Sequence, residues 1–117
     1  MTGLARYLFG VEPAQMISTR TLGGEHWYMA SDICGLIGTA NYSSAVQNHL
    51  DGYEYRYEVI YTGRAKRRVL MVNDAGMLKL IRAGRTERAL AAYERALSAP
   101  AYLRKTEWPA GFEQEAA

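Results

Sequence analysis

The chain has one cysteine, Cys34, among its 117 residues. A single thiol closes no internal disulfide, so packing and hydrogen bonds must hold the fold, and the expected setting is a reducing one, the cytoplasm. Long apolar runs are also missing. The longest aliphatic run is Val69-Leu70-Met71-Val72, where a membrane-spanning helix needs about 20 apolar residues, so no membrane association is expected. Met1 to Gly10 contains no apolar stretch of signal-peptide length. Cys34, His26 and His49 stand apart, with no CxxC, HxxxH or HExxH pattern, and no metal site is expected. No Walker loop or GxGxxG occurs either, which leaves nucleotides and other cofactors without a foothold. Cys34 falls beside Ile33 in an apolar stretch and reads as an inert core residue. His49, on the inward side of the following helix, reads as a hydrogen-bonded structural histidine. With no nucleophile, acid–base pair or metal cluster, the chain is expected to be no enzyme.

What is present is an ordinary globular composition, 49% hydrophobic and 22% charged, which excludes a disordered chain and suits one domain. The net charge of +2 hides a strong asymmetry. Residues 1–60 carry three basic and six acidic groups, residues 61–105 eleven basic and three acidic, and the last twelve residues three acidic and no basic ones. The middle segment therefore stands at +8 between two segments at −3. Such a segment attracts a polyanion or an acidic protein face, or else simply lines solvated helices.

No internal repeat interrupts the chain. Residues 1–15, with Gly10 and Pro13, are expected to form a loose arm. Met16 to Leu22 alternates, Gly23-Gly24 supplies a turn, and His26 to Ala30 is rich in aromatics, which predicts a hairpin. Ser31 is placed to cap a helix carrying Ile33, Leu36 and Ile37 and ended by Gly38. Ser43 or Ser44 then caps a second helix, with Val46 and Leu50 inward and Gln47 and Asn48 elsewhere, giving a helix-turn-helix-like pair. After Asp51-Gly52, Tyr53, Tyr55, Tyr57, Val59 and Tyr61 alternate with Glu54, Arg56, Glu58 and Ile60, a half-buried strand. A turn from Thr62 to Lys66 leads to a strand from Arg67 to Val72. Asn73 or Asp74 starts a helix ended by Gly84, and Thr86 caps a last helix with Ala89, Leu90, Tyr93, Ala96 and Leu97 in its stripe, stopped by Pro100. Trp108 to Ala117 is an acidic tail, frayed except at its aromatic anchors. The fold class expected is α+β, with two antiparallel β-hairpins and about four short helices, including the helix-turn-helix-like pair.

Arg64-Ala65-Lys66-Arg67-Arg68 packs four cations into five residues at a hairpin tip. Their mutual repulsion is best explained by phosphates or carboxylates that neutralise them in a complex. In a winged helix-turn-helix the hairpin reaches the DNA backbone while the second helix enters the major groove. The groove-facing candidates are then Tyr42, Ser43, Ser44, Gln47 and Asn48, whose hydroxyl and amide groups suit phosphates or base edges. The second helix has no Arg or Lys. The expected partner is double-stranded DNA, with an acidic protein or simple solvation as alternatives for the basic turn. The row Tyr53, Tyr55, Tyr57 and Tyr61 reads as core packing or a homodimer interface ahead of base stacking.

The run Gly24-Glu25-His26-Trp27-Tyr28-Met29-Ala30-Ser31-Asp32-Ile33-Cys34, followed by Leu36-Ile37-Gly38, resembles the opening signature of the Bro-N domain, the amino-terminal module of baculovirus Bro proteins and many phage antirepressors. Asn41, Ala45-Val46 and His49-Leu50 continue the pattern. Val72-Asn73-Asp74-Ala75-Gly76-Met77-Leu78-Lys79-Leu80-Ile81-Arg82 is similar to the second signature, and Pro100 with Leu103-Arg104-Lys105-Thr106 to the closing element. Ala96 stands where the family commonly has tryptophan, and Pro100 lies one residue farther from Arg104 than usual. The resemblance covers residues 16–106, taken as the domain, between the arm 1–15 and the tail 107–117. It implies a small phage- or prophage-type DNA-binding transcriptional regulator in the bacterial host cytoplasm. The alternative it implies is a protein-binding antirepressor or inhibitor that sequesters a repressor or host protein. Larger relatives append a carboxy-terminal domain, so the chain is expected to be a stand-alone regulator, a fragment, or a protein whose partner replaces that domain.

Overall fold

The computed structural model describes residues 3–103 and Phe112. Two short helices come first, α1 (Gly3–Phe9) and α2 (Val11–Gln15). Leu4, Ala5 and Leu8 of α1 and Ala14 of α2 are buried. The loose arm is thus corrected for residues 3–15. Leu4, Ala5 and Leu8 fall on one helical face, and Pro13 sits in the first turn of α2, where its missing N–H would have no helical partner.

The first hairpin joins β1 (Thr19–Leu22) to β2 (Glu25–Met29). Gly23 and Gly24 both have positive φ, 59° and 80°, the type I′ geometry that matches strand twist and favours glycine. The chain passes directly into α3 (Ala30–Ile37) and then α4 (Tyr42–His49). Ser31 does not cap α3; the cap position lies two residues earlier, at Met29, without a side-chain cap. The carboxylate of Asp32 in its first turn instead accepts from the N–H of Ser18 at 2.8 Å. Gly38 ends α3 in the left-handed region at φ 74°. A Cβ there would lie 2.8 Å from Arg88. Neither Ser43 nor Ser44 caps α4. Asn41 does, at φ 54°, accepting from the N–H of Ser44 at 3.2 Å, because asparagine tolerates this backbone and reaches the third amide.

The second hairpin pairs β3 (Tyr55–Thr62) with β4 (Ala65–Asn73), and α5 (Asp74–Ala83) and α6 (Glu87–Leu97) follow, with a 3₁₀ turn at Ala101–Leu103. The hairpins merge into one antiparallel sheet of order β1-β2-β4-β3. One sheet face, with Tyr28, Leu70 and Val72, packs on Ile33, Ile37, Met77, Leu78 and Ile81 of the helices. The opposite face holds a smaller cluster of Trp27, Val69 and Met71. The fold is the expected α+β arrangement, with six helices in place of four. α1 is tied to α6, since Tyr7 Oη donates to the Ser98 carbonyl at 3.1 Å and Arg95 donates to the Leu8 carbonyl at 2.9 Å. Of the tail, Phe112 is buried against Tyr93, ring centroids 5.2 Å apart; Trp108 and the rest of the tail, like Arg104, Lys105 and Thr106, lie outside the described residues.

Asn73 joins these parts. Its side-chain oxygen caps α5 by accepting from Gly76 N–H at 2.9 Å, while its amide nitrogen donates to Glu25 and to the Tyr53 carbonyl, each at 3.1 Å. Its backbone N–H donates to the Glu54 carbonyl at 3.1 Å. Gly76 lets the helix approach, because a Cβ there would stand 2.6 Å from the same carbonyl. Beneath it, the buried Glu54 accepts from Lys79 Nζ and from the Asp51 N–H, both at 2.7 Å. Burial works to lower the Lys79 ammonium's pKa, but the bonds to Glu54 and Asp51 outweigh it and hold the pKa above the ordinary value.

Replacing Asn73 by Ala strands several buried groups at once, so it should cost about 3 kcal/mol in urea denaturation. A loss below about 1 kcal/mol would show that the junction is held by other contacts. A second test concerns Asp74, which accepts from Tyr28 Oη at 2.7 Å. Burial raises its pKa above the ordinary 3.8, opposed by the Tyr28 bond and the nearby His26 and reinforced by Glu25. The folded state therefore binds this proton more tightly than the unfolded one, and stability from this group falls as pH rises through 3.8 toward the folded value. Asp74→Asn keeps an acceptor for Tyr28 and should flatten that decline, with urea midpoints against pH as the readout.

Candidate nucleic-acid interface

β2 stops at Met29, opposite Met71, because the chain turns there into α3. β3 and β4 continue without it. From Glu58 opposite Val69 to Thr62 opposite Ala65 they form a two-stranded ribbon of five residue pairs, about 15 Å long at the usual strand rise. Gly63 at φ 59° followed by Arg64 outside the positive-φ region makes a type II′ turn. The expected turn from Thr62 to Lys66 is thus corrected to two residues. Arg64 sits at the tip, while Lys66, Arg67 and Arg68 belong to β4.

Strand alternation divides these cations. Lys66 and Arg68 share a face with Tyr57, Val59 and Tyr61, and Arg67 lies on the other with Glu58 and Ile60. Of the two readings of the tyrosine row, core packing or a homodimer interface, core packing is corrected for all but Tyr55. Tyr55 reaches the core, but Tyr53, Tyr57 and Tyr61 are 71%, 45% and 73% exposed. Period-two alternation shows which face a residue takes, not how far the helical layer extends over it. Residues missed as part of this surface are therefore Tyr57, Val59 and Tyr61, grouped with Lys66 and Arg68 by cross-strand register.

Among the described residues the ribbon's positive charge is largely uncompensated. Glu58 is occupied by Arg56 at 2.7 Å and Arg20 at 4.0 Å. Among the described residues Arg64, Lys66 and Arg67 make no ion pair, and Arg68 lies over the Tyr57 ring, 4.0 Å from its centroid. Like charges gathered on one short ribbon repel one another, and physiological salt screens such repulsion only over roughly 8 Å. An anion on the ribbon would relieve that repulsion.

On α4, Ser44, Gln47 and Asn48 lie at i, i+3 and i+4 and are exposed, sharing one solvent face. Tyr42 in the first turn is 41% exposed, and Ser43 is half-buried. α4 packs mainly on α3 and α5, whereas the ribbon cations stand on the β3–β4 hairpin. His49 is exposed, not an inward structural histidine. It lines a cleft of about 250 Å³ with Thr39, Leu80 and Arg85. Cys34 is buried, and burial pushes its thiol up to about 11, which keeps it protonated at neutral pH.

The family model described as BRO family, N-terminal domain (Bro-N) matches residues 16–94. The chain belongs to the Bro-N family. At family level this supports an antirepressor-like domain of a family linked with nucleic-acid binding. The Bro-N match begins after α2, yet Leu4, Ala5 and Leu8 pack into the same core as the matched residues. No curated protein and no solved structure matches the chain. No helix of the described residues is long and apolar enough to cross a membrane.

If the ribbon cations serve a ligand rather than the fold, Arg64→Ala, Lys66→Ala and Arg67→Ala should each leave stability within about 0.5 kcal/mol of wild type. Arg68→Ala should lose about 0.5–1 kcal/mol with its stacking on Tyr57. Urea denaturation of the four variants checks this; losses above about 2 kcal/mol would assign the side chains to folding.

Proposed function

We propose that this Bro-N protein is a small phage- or prophage-type transcriptional regulator that binds double-stranded DNA and acts without catalysis, in the host cytoplasm. The observation that carries the reading is the protruding ribbon, on which Arg64, Lys66 and Arg67 have no acidic partner among the described residues. A narrow two-stranded ribbon fits a DNA groove or its phosphate wall, and phosphates are the ligands that four clustered cations favour most. The ribbon positions the domain through the backbone. The exposed Ser44, Gln47 and Asn48 of α4, with Tyr42 beside them and Ser43 nearer the helix base, supply the hydrogen bonds suited to base edges or further phosphates.

The test is a mobility shift titrated with salt. Four phosphate contacts predict a slope near −3.6 in log affinity against log salt, roughly a 150-fold loss between about 50 and 200 mM. The quadruple variant of Arg64, Lys66, Arg67 and Arg68 to Ala should abolish the shift at the higher salt and flatten the slope. Gln47→Ala with Asn48→Ala should weaken binding to a preferred sequence more than to random DNA. Unchanged affinity in the quadruple variant would remove the ribbon from the interface. Binding of one stoichiometric protein with no DNA shift at low salt would establish the antirepressor alternative instead.

A further inference from the structure

β3 is the outer strand of the sheet, and β4 is the only strand it pairs with among the described residues. Over eight residues, Tyr55–Thr62, it presents a second row of backbone donors and acceptors to solvent. The type II′ turn determines which ones. In a two-residue hairpin the flanking pair, Thr62 and Ala65, exchanges hydrogen bonds, and alternation then turns the N–H and C=O of Tyr61, Val59, Tyr57 and Tyr55 outward. This edge has neither proline nor lysine, and its two charged residues, Arg56 and Glu58, are of opposite sign and so do not bar a second copy. Its side chains include Tyr57, Val59 and Tyr61 at 45%, 40% and 73% exposure.

We propose that this edge pairs with the same edge of a second copy of the chain, antiparallel and centred on Tyr57, to give a continuous eight-stranded sheet. Two electrostatic facts select the occupant and the register. Parallel pairing would stack Arg64, Lys66, Arg67 and Arg68 on their counterparts, whereas antiparallel pairing sends the two cationic tips to opposite ends. With Tyr57 opposite Tyr57 of the second copy, Arg56 faces Glu58 of that copy and Glu58 faces its Arg56. Arg56 and Glu58, already paired within each chain at 2.7 Å, thereby join their counterparts in an alternating four-charge network at non-hydrogen-bonded positions, where side chains approach closest. The same register sets Tyr55 against Val59 and Tyr53 against Tyr61, covering the exposed aromatics. Centring on Val59 instead would oppose Glu58 to Ile60 and Arg56 to Thr62 and lose both pairs. The contact is self-complementary, as a two-fold dimer requires, and it leaves both basic tips free.

The pairing does not depend on DNA and is tested without it, by sedimentation equilibrium of the full chain with charge swaps. Wild type should dimerise. Arg56→Glu, which puts acids opposite acids, and Glu58→Arg, which puts bases opposite bases, should each weaken dimerisation about tenfold or more. Combining both swaps in one chain should restore it, and mixing the two single variants should yield a heterodimer, which also shows that both are folded. In wild type, the amides of Tyr55, Tyr57 and Val59 should gain hydrogen-exchange protection as concentration rises. A wild-type chain that stays monomeric at high concentration, single swaps that leave the dimer unchanged, or a double swap that fails to restore it would overturn the proposal. So would protection that stays independent of concentration at those three amides.

Discussion

The Asn73 side chain is the junction on which the remaining geometry depends. A buried carboxamide must satisfy both ends, and Asn73 does so by binding three elements: the first turn of α5, Glu25 of the first hairpin, and the loop before β3. Those bonds set where α5 begins relative to both hairpins. Gly76 then permits the close approach, and the Lys79–Glu54 pair beneath it gives a buried carboxylate the charged partner it needs. No single contact here is large, but each requires the others to be in place.

The order at this end of the sheet explains the freedom at the other. β2 leaves the sheet to become α3, so the four-stranded part ends at Met29 and Met71. Past that point β3 and β4 have only each other, and a two-stranded ribbon is marginal unless one face is covered. Here the ribbon keeps a type II′ turn, a cation over an aromatic ring, and a small cluster under Val69 and Ile60. Its cations are left in solvent because no helix of the described residues reaches them and Glu58, the one acid on the ribbon, is already engaged by two arginines. Base and tip thus divide the work, one holding the fold and the other presenting charge.

Much of this was legible in the residues. Both hairpins, the glycine turn at Gly23-Gly24, the left-handed stop at Gly38, the caps at Asn73 and Thr86 and the basic cluster follow from short patterns. The misreadings share a cause. Pro13 signals a break only if its place in a helix is unknown, and Ser31, Ser43 and Ser44 are competent caps whose use depends on where the chain enters the helix. Tyr57 and Tyr61 alternate as core residues do, yet stand beyond the helical layer. The buried Leu50 at the end of α4 suggests an inward place for its neighbour His49, yet His49 faces solvent.

By itself the sequence determined both hairpins, the four helices between Ala30 and Leu97 and the concentration of positive charge, because those properties belong to residues adjacent in the chain and are set by backbone sterics and local hydrogen bonding. The tertiary structure alone decided depth and company. It folded residues 3–15 around two helices that bury Leu4, Ala5, Leu8 and Ala14, exposed the outer tyrosines, placed Lys66 and Arg68 on one face and Arg67 on the other, and left β3 with an edge that no other strand of the described residues covers. These depend on how far one layer extends over another, a distance fixed by packing among residues far apart in the chain.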